Sequence, residues 1–205
     1  MRVSTVVCLA VVFTVGQAVC PLGCKCKESN KKQSLFCSSS HLTRFPQDIP
    51  SSTVFSYISL SDVVNLKHLD LTYNSLRGLD RDMMSEIPQL TTLILKSNYF
   101  SSLPQNVFSC LRYLNRLDLK TNFFSSIHPD MFSGMESLKS LQLAGNRLVA
   151  LELGVQKIPT VQRLDIGNNR ITALGPITFP PIFPIRYIDL RSTSLRDIDP
   201  MLSMD

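Results

Sequence analysis

The stretch Leu66-Lys-His-Leu69-Asp-Leu71-Thr-Tyr-Asn74-Ser-Leu76 decides the fold, because its pattern, L-x-x-L-x-L-x-x-N-x-L, recurs along the chain. Further copies begin at Leu90, Leu114, Leu138, Val161 and Ile185. The spacings between successive starts are 24, 24, 24, 23 and 24, which is too regular for chance. A repeat of this period predicts a solenoid, in which one structural unit per copy stacks on the next.

Each copy is predicted to form one short strand, because its L-x-L core alternates between apolar residues and others, as in a strand with one buried face. Equivalent strands would form a parallel sheet, and the rest of each copy supplies the long return that parallel strands require. Three apolar columns recur in these returns and are predicted to point inward: Leu79, Leu103, Ile127, Leu151, Leu174 and Ile198; Met84, Phe108, Phe132, Val155 and Phe179; Ile87, Leu111, Met135, Ile158 and Ile182.

One asparagine recurs just after the strand in five of the six copies. Its side chain can both donate and accept hydrogen bonds, so it can satisfy backbone groups where the chain turns inward. We call these residues the ladder asparagines and predict a structural role for them: Asn74, Asn98, Asn122, Asn146 and Asn169. Thr193 takes this position in the sixth copy and keeps only a hydroxyl, so a looser turn is expected there.

The first eighteen residues are typical of a secretory signal peptide. Arg2 gives a positive start, Val6 to Val15 is an apolar run, and Gly16-Gln17-Ala18 offers a cleavage site after Ala18. A membrane anchor is the alternative, but the run is well short of the ~20 residues that cross a bilayer. The remaining chain shows no segment long and apolar enough to span, so we expect a secreted, extracellular protein.

Four cysteines, Cys20, Cys24, Cys26 and Cys37, lie close together after this cleavage site. In a secreted chain such a cluster favours a disulfide framework, for which the sequence alone allows three pairings. A zinc site is the weaker alternative, because the paired C-x2-C spacing is missing. Cys110 stands apart and is expected to be a partly buried free thiol, or else to form an intermolecular disulfide.

The cysteine cluster, followed by Leu42-Thr-Arg-Phe45-Pro46-Gln-Asp-Ile49-Pro50, resembles the N-terminal cap of extracellular leucine-rich-repeat proteins. Small leucine-rich proteoglycans, chondroadherin-like matrix proteins, Slit-type guidance proteins and Toll-type receptors carry such caps, and the copies described above resemble their typical repeats. The resemblance implies an α/β solenoid, a right-handed horseshoe with a parallel sheet on the concave face and irregular or 3-10 returns on the convex face. It also implies a cap over residues 19–53, with disulfides Cys20–Cys26 and Cys24–Cys37.

Two regions depart from this pattern. Phe55 to Leu60 resembles a strand, yet the next copy already starts at Leu66, so residues 54–65 look like an incomplete repeat. We hypothesise that half a repeat is missing near Ser59 to Asp62. Residues 66–205 then hold six repeats, and the last one stops at Asp205 without a cysteine cap. The expectations are a truncated chain, or self-association through the uncapped end.

Strand residues that point away from the core are expected to line the concave face. Within it, the column Asp70, Ile94, Asp118, Gln142, Asp165 and Asp189 is mostly acidic and has basic neighbours. The plain interpretation is a solvated face whose charges neutralise one another, and the alternative is an electrostatically patterned binding surface. The binding candidates are Tyr73, Ile94, Lys96, Arg116, Asp118, Lys120, Arg163, Asp165, Tyr187, Asp189 and Arg191.

The charge and motif content limit the possible functions. The net charge of +5 falls short of a nucleic-acid footprint, whereas Lys25, Lys27, Lys31 and Lys32 of the cap could attract a sulfated glycan. No catalytic motif or metal-ligand spacing appears, so neither an enzyme nor a cofactor is expected. The sequence favours a secreted module of matrix or signalling type that binds an extracellular protein. The alternative is a truncated or soluble ectodomain of a Toll-like or guidance-type receptor.

Overall fold

The computed structural model describes residues 25–29, 32–36, 66–150, 158–174 and 184–198. Ten strands lie in these ranges: β1 (Lys25–Ser29), β2 (Lys32–Phe36), β3 (Leu66–Asp70), β4 (Thr92–Ile94), β5 (Arg116–Asp118), β6 (Ser140–Gln142), β7 (Arg163–Asp165), β8 (Ala173–Leu174), β9 (Tyr187–Asp189) and β10 (Asp197–Ile198). The returns also contain one short helix, α1 (Arg81–Ser85), and a 3-10 helix, Pro129–Phe132.

Eight strands form one sheet in the order β1-β2-β3-β4-β5-β6-β7-β9. β1 and β2 pair antiparallel as a hairpin, and every later pair is parallel. Between β3 and β9 the register moves by one sequence repeat per strand, so that Leu69 lies beside Leu93 and Leu93 beside Leu117. The predicted leucine-rich-repeat solenoid with a parallel sheet is therefore confirmed.

The core is a continuous stack of the repeat's apolar positions. Leu93, Leu117 and Leu141 of the strands are fully buried, and Phe108 and Phe132 of the returns close the core opposite them. The second and third columns point inward wherever they are described, while Leu103 of the first column is only half-buried. Several column positions lie outside the described residues, namely Leu151, Val155, Phe179, Ile182 and the side chains of Leu174 and Ile198.

The returns are short and irregular, as the resemblance implied. α1 begins after Asp80, whose carboxylate accepts a hydrogen bond from the Asp82 N–H, and it buries Met84. The 3-10 helix begins after His128, whose ring accepts from the Asp130 N–H. β8 and β10 pair in parallel as a second, two-stranded sheet. These returns are long enough to bring each chain segment back to the start of the next parallel strand.

The hairpin β1–β2 occupies one edge of β3, and β4 occupies the other edge. This hairpin lies within residues 19–53, over which the sequence predicts the cap. The predicted signal peptide, Cys20, Cys24, Cys37 and the predicted incomplete repeat at 54–65 lie outside the described residues, as does the side chain of Cys26. The disulfides and the missing half-repeat stay predictions. Cys110 is half-buried and unpaired.

The ladder asparagines join neighbouring repeats. Nδ2 of Asn122 donates to the carbonyls of Leu119 and Lys120 in its own turn, and to that of Leu95 in the preceding repeat, each at 3.1 Å. Its Oδ1 accepts the N–H of Phe100 at 3.1 Å. The residue before each ladder position has a positive φ, and Thr121 holds this left-handed conformation at 53° although it is not a glycine. Each strand thus ends in a sharp turn that is fixed by side-chain hydrogen bonds.

Candidate functional site

The parallel register brings equivalent outward residues of successive strands side by side, and we call this surface the concave face. Two columns run across it, one for each outward position of the strand. The first column is His68, Thr92, Arg116, Ser140, Arg163 and Tyr187, and the second is Asp70, Ile94, Asp118, Gln142, Asp165 and Asp189.

The carboxylates of the second column also have a structural role. Asp118 accepts the N–H of Lys120 at 3.1 Å, and Asp189 accepts that of Arg191 at 3.1 Å. Asp70 and Asp165 make the same bond to the residue two positions later. An aspartate that bonds its own backbone in this way fixes the turn that follows it. Sequence reasoning missed this role, although the recurrence of aspartate before the turn is a signal for it.

Asp118 and Asp189 are buried, with only 4% and 8% of their surfaces exposed. Both carboxylates therefore lie on the concave face but are largely shielded from solvent. Each carboxylate pairs with a basic neighbour, Arg116 on the same strand or Arg191 just after it. Side-chain and backbone hydrogen bonds from Arg191 lower the pKa of Asp189 to about 2, while burial acts in the opposite direction.

Three of the predicted cations form ion pairs across the face. The Arg116 guanidinium lies 3.2 Å from the Asp118 carboxylate and also donates to the side-chain oxygen of Gln142 at 3.1 Å. Lys120 reaches Asp165 at 2.7 Å. Arg191 pairs with Asp189 at 2.6 Å. These contacts agree with the plain interpretation of the face, in which neighbouring charges neutralise one another.

Arg163 differs from these three cations. Its guanidinium stacks over the ring of Tyr187 at 4.3 Å, and it makes no ion pair among the residues that the structure describes. Both side chains are exposed. Because a guanidinium on an aromatic face keeps its N–H groups free in the plane, this pair remains available to a partner.

A cavity of about 470 Å³ opens on the concave face over β5, β6, β7 and β9. Its lining is almost entirely polar: Arg116, Lys120, Ser140, Gln142, Arg163, Asp165, Tyr187, Asp189 and Arg191. Small-molecule pockets are lined mainly by apolar side chains, whereas charged and wet surfaces with Arg and Tyr are common where macromolecules meet. Ser140 and Gln142 also line the cavity, although neither was among the candidates from the sequence.

The remaining candidates lie at the other end of the face. Tyr73 is 60% exposed, and the Lys96 ammonium lies 6.0 Å from its ring centre. Ile94 is half-buried between Asp70 and Asp118. Since strands in a sheet are ~4.8 Å apart, Tyr73 beside β3 lies ~24 Å from Tyr187 on β9. The structure thus separates the candidates into two groups, of which the one at β5–β9 forms the cavity.

Metal-ligand clusters and membrane-spanning helices are both absent from the described part of the chain. No group of three or more His, Cys, Asp or Glu side chains there could hold a metal ion. No helix in the same ranges is long and apolar enough to cross a membrane.

Residues 53–99 and 88–148 match the family model for the leucine rich repeat. Among solved structures, the chain is similar to "Crystal structure of TLR13-ssRNA13 complex", with 29% identity and a TM-score of 0.66. That match covers 74% of this chain and 21% of the other, so the chain spans about a fifth of the length of that protein. No curated protein shows significant similarity to the chain. Together with the strand register, these matches establish a leucine-rich-repeat solenoid fold.

Proposed function

We propose that the chain is a secreted, non-enzymatic binding module that holds an extracellular protein against the concave face of its solenoid. The observation that carries this proposal is the Arg163–Tyr187 pair, which is exposed, stacked and without an ion-pair partner among the described residues. Arg and Tyr are the residue types that most often dominate binding energy at protein interfaces.

The size and chemistry of the face support a protein ligand. Six parallel strands give an arc of ~24 Å between the outer strands, which is wide enough for a folded domain. The cavity at β5–β9 has an open, polar lining, into which a protruding side chain of a partner would fit. The pre-formed ion pairs around it hold their side chains in place, so that less conformational entropy is lost on binding.

Secretion rests on the signal-peptide pattern of residues 1–18, and the matrix or signalling role rests on the resemblance of the cap and repeats. A sulfated glycan bound to the cap is a further proposal from the sequence. Lys25 and Lys27 are exposed on β1, at the outer edge of the sheet, which fits that proposal.

A Toll-like receptor ectodomain is the second candidate, because the similar structure named above is a Toll-like receptor that the chain matches over 74% of its own length. In that case the chain corresponds to part of a longer receptor. That receptor is in complex with a single-stranded RNA, yet protein is the better proposal for this concave face. Three cations of the concave face are already paired with carboxylates, and the phosphates of an RNA would have to displace those carboxylates.

The test is a binding screen of the full chain against an array of purified extracellular proteins, with labelled single-stranded RNA on the same array. Arg163→Glu combined with Tyr187→Ala should abolish binding of the hits, because it removes the unpaired cation and the ring that holds it. Arg112→Glu is the matched control, since Arg112 is exposed in a return and lies outside both columns.

Hits that are lost in the double variant and kept in the control support the proposal. Proteins that bind all variants equally contradict it and assign binding to another surface. RNA that is held by the wild-type chain and lost in the double variant contradicts the choice of a protein ligand.

A further inference from the structure

A second surface of the solenoid has a composition unlike that of the concave face. We define the flank as the three residues that follow each ladder position: 75–77, 99–101, 123–125, 147–149, 170–172 and 194–196. These eighteen residues include no carboxylate and four exposed arginines, Arg77, Arg147, Arg170 and Arg196. None of the four forms an ion pair within the described part of the chain. On the concave face, by contrast, most cations are neutralised.

The flank is also rigid. In the four middle units the first residue donates its backbone N–H to the unit before it, as Tyr99 does to the Leu76 carbonyl and Phe123 to the Phe100 carbonyl, both at 2.8 Å. The second residue of these units, such as Phe100 or Phe124, is buried in the core. The exposed side chains of the flank therefore stand on a backbone that the core and this row of hydrogen bonds hold in place.

Four of these side chains form one continuous stack. The rings of Tyr99 and Phe123 are nearly parallel, with an interplanar angle of 13° and centres 5.6 Å apart. The Arg77 guanidinium lies over Tyr99 at 5.2 Å, and that of Arg147 lies over Phe123 at 4.5 Å. The order follows the repeats, so that each ring contacts the other ring and one guanidinium. The two guanidiniums end the stack and are separated by these three successive stacking distances.

This arrangement suits carboxylates. A guanidinium stacked on a ring keeps its N–H groups at the edge, where it can bind a carboxylate through two parallel hydrogen bonds. An extended peptide rises ~3.4 Å per residue, so two acidic side chains four residues apart are separated by ~13 Å. The Arg77 and Arg147 guanidiniums are separated by three stacking distances, 5.2, 5.6 and 4.5 Å, which together are long enough to match this spacing of the two acidic side chains.

The same stack disfavours ligands that bind by stacking. Nucleic-acid bases stack on open aromatic rings, and here each ring already stacks with the other ring and with one guanidinium. We propose that the flank binds an extended acidic segment of a protein, with Arg77 and Arg147 each holding one carboxylate. This surface is separate from the concave cavity, which shares no residue with it.

The probe for this proposal is a fluorescein-labelled peptide, Ser-Glu-Ser-Thr-Ser-Glu-Ser, whose binding to the full chain is followed by fluorescence anisotropy at low salt. Replacing both stack arginines, Arg77→Gln with Arg147→Gln, should weaken binding about tenfold, since two charge-assisted hydrogen-bond pairs are lost. The control, Arg112→Gln with Lys139→Gln, removes the same charge from exposed residues outside the flank and should change affinity less than twofold.

A second variant tests the stack itself. Tyr99→Leu keeps an apolar side chain but removes the ring beneath Arg77. It should weaken peptide binding about threefold, because that guanidinium is no longer held in place. Arg163→Gln with Tyr187→Ala should bind the peptide as the wild-type chain does, which separates this proposal from the concave one.

If the Arg77 and Arg147 variant and its control lose peptide affinity equally, the effect comes from net charge alone and the proposal is overturned. It is equally overturned if heparin or single-stranded RNA depends on Arg77 and Arg147 while the peptide does not, because the flank then recognises another class of ligand. Loss of the peptide in the Arg163 and Tyr187 variant would assign the peptide to the concave face.

Discussion

The side chain of Asn122 connects three segments of backbone, namely its own turn, the strand end at Leu95 and the segment at Phe100. Both the amide and its partners are buried, so water cannot replace these bonds. Leaving buried donors and acceptors unsatisfied costs about 1–3 kcal/mol. A cost of this size shifts the melting temperature of a chain of this length by roughly 2–12 °C.

We therefore expect Asn122→Ala to lower the melting temperature by several degrees, as measured by far-ultraviolet circular dichroism. Lys139→Ala is the control, because Lys139 is exposed and its side chain makes no described contact. If both variants melt at the same temperature, the buried hydrogen bonds of Asn122 contribute nothing measurable to the stability of the fold.

Single residues also mark the limit of what the sequence could reveal about the site. The alternation of the strand predicts that Arg116 and Asp118 point outward, and Arg116 does line the concave cavity, where it pairs with Asp118. It does not predict that Asp118 is buried, nor that Arg116 bonds both Asp118 and Gln142 of the next repeat, because both depend on how the strands pack. The Arg163–Tyr187 pair likewise joins two different repeats, which meet only because their strands are neighbours in the sheet.

Among the elements, the junction between the cap hairpin and the first repeat carries a titratable group. His68 of β3 packs against Phe36 of β2, with ring centres 5.0 Å apart, and its Nε2 is buried without a hydrogen-bond partner in the described structure. Burial lowers the pKa of His68 below its usual 6.5; the Asp70 charge opposes this shift and the Arg116 charge adds to it. The folded chain thus prefers the neutral ring.

The sign of the pH effect follows from this shift. In the unfolded chain His68 takes up its proton near pH 6.5, whereas in the folded chain it does so only at lower pH. Stability is therefore complete above pH 6.5 and falls as the pH drops from there towards the folded pKa. We expect the wild-type chain to lose more thermal stability between pH 7.5 and 5.5 than His68→Phe, which keeps a ring against Phe36 but cannot titrate.

The measurement is a set of melting curves at pH 5.5, 6.5, 7.5 and 8.5. Between pH 7.5 and 8.5 the two proteins should respond alike, because His68 is neutral in both states there. An identical loss on acidification in wild type and variant would mean that His68 does not couple the junction to pH.

For whole elements the sequence was more informative than for the site. The period of the repeat fixes the strands at β3 to β7 and β9, and their register follows from it. The 3-10 helix at Pro129 to Phe132 agrees with the expected irregular or 3-10 returns, whereas the short helix α1 was not expected. Repeats tolerate different local conformations there, because only the inward apolar columns must coincide from one repeat to the next.

The described repeats form a one-dimensional stack, in which each strand of the main sheet pairs with the strands of the adjoining repeats. A central strand such as β5 has a repeat on both sides, whereas β9 has β7 on one side and no further strand of the main sheet on the other among the described residues. Burial follows this order, since Leu117 is fully buried and the equivalent Ile188 only partly. Stability should therefore be unequal along the chain.

Hydrogen exchange followed by mass spectrometry measures this inequality directly, because local opening depends on the contacts of each unit. In the wild-type chain we expect slow exchange in β4, β5 and β6 and faster exchange in β9. Leu117→Ala should lower the free energy of unfolding by about 2–5 kcal/mol, because it creates a cavity in the core. It should speed exchange in β4 and β6 as well as in β5, since β4 and β6 both pack on Leu117. Ile188→Ala is the matched change at the end of the sheet. It should lower the free energy of unfolding by less than half as much, and it should speed exchange in β9 while leaving the exchange rates of β4 and β5 unchanged. Uniform protection from β4 to β9, or an Ile188→Ala effect that spreads through the whole sheet, would show that the solenoid opens as one cooperative unit, and nearest-neighbour stacking would then not describe its stability.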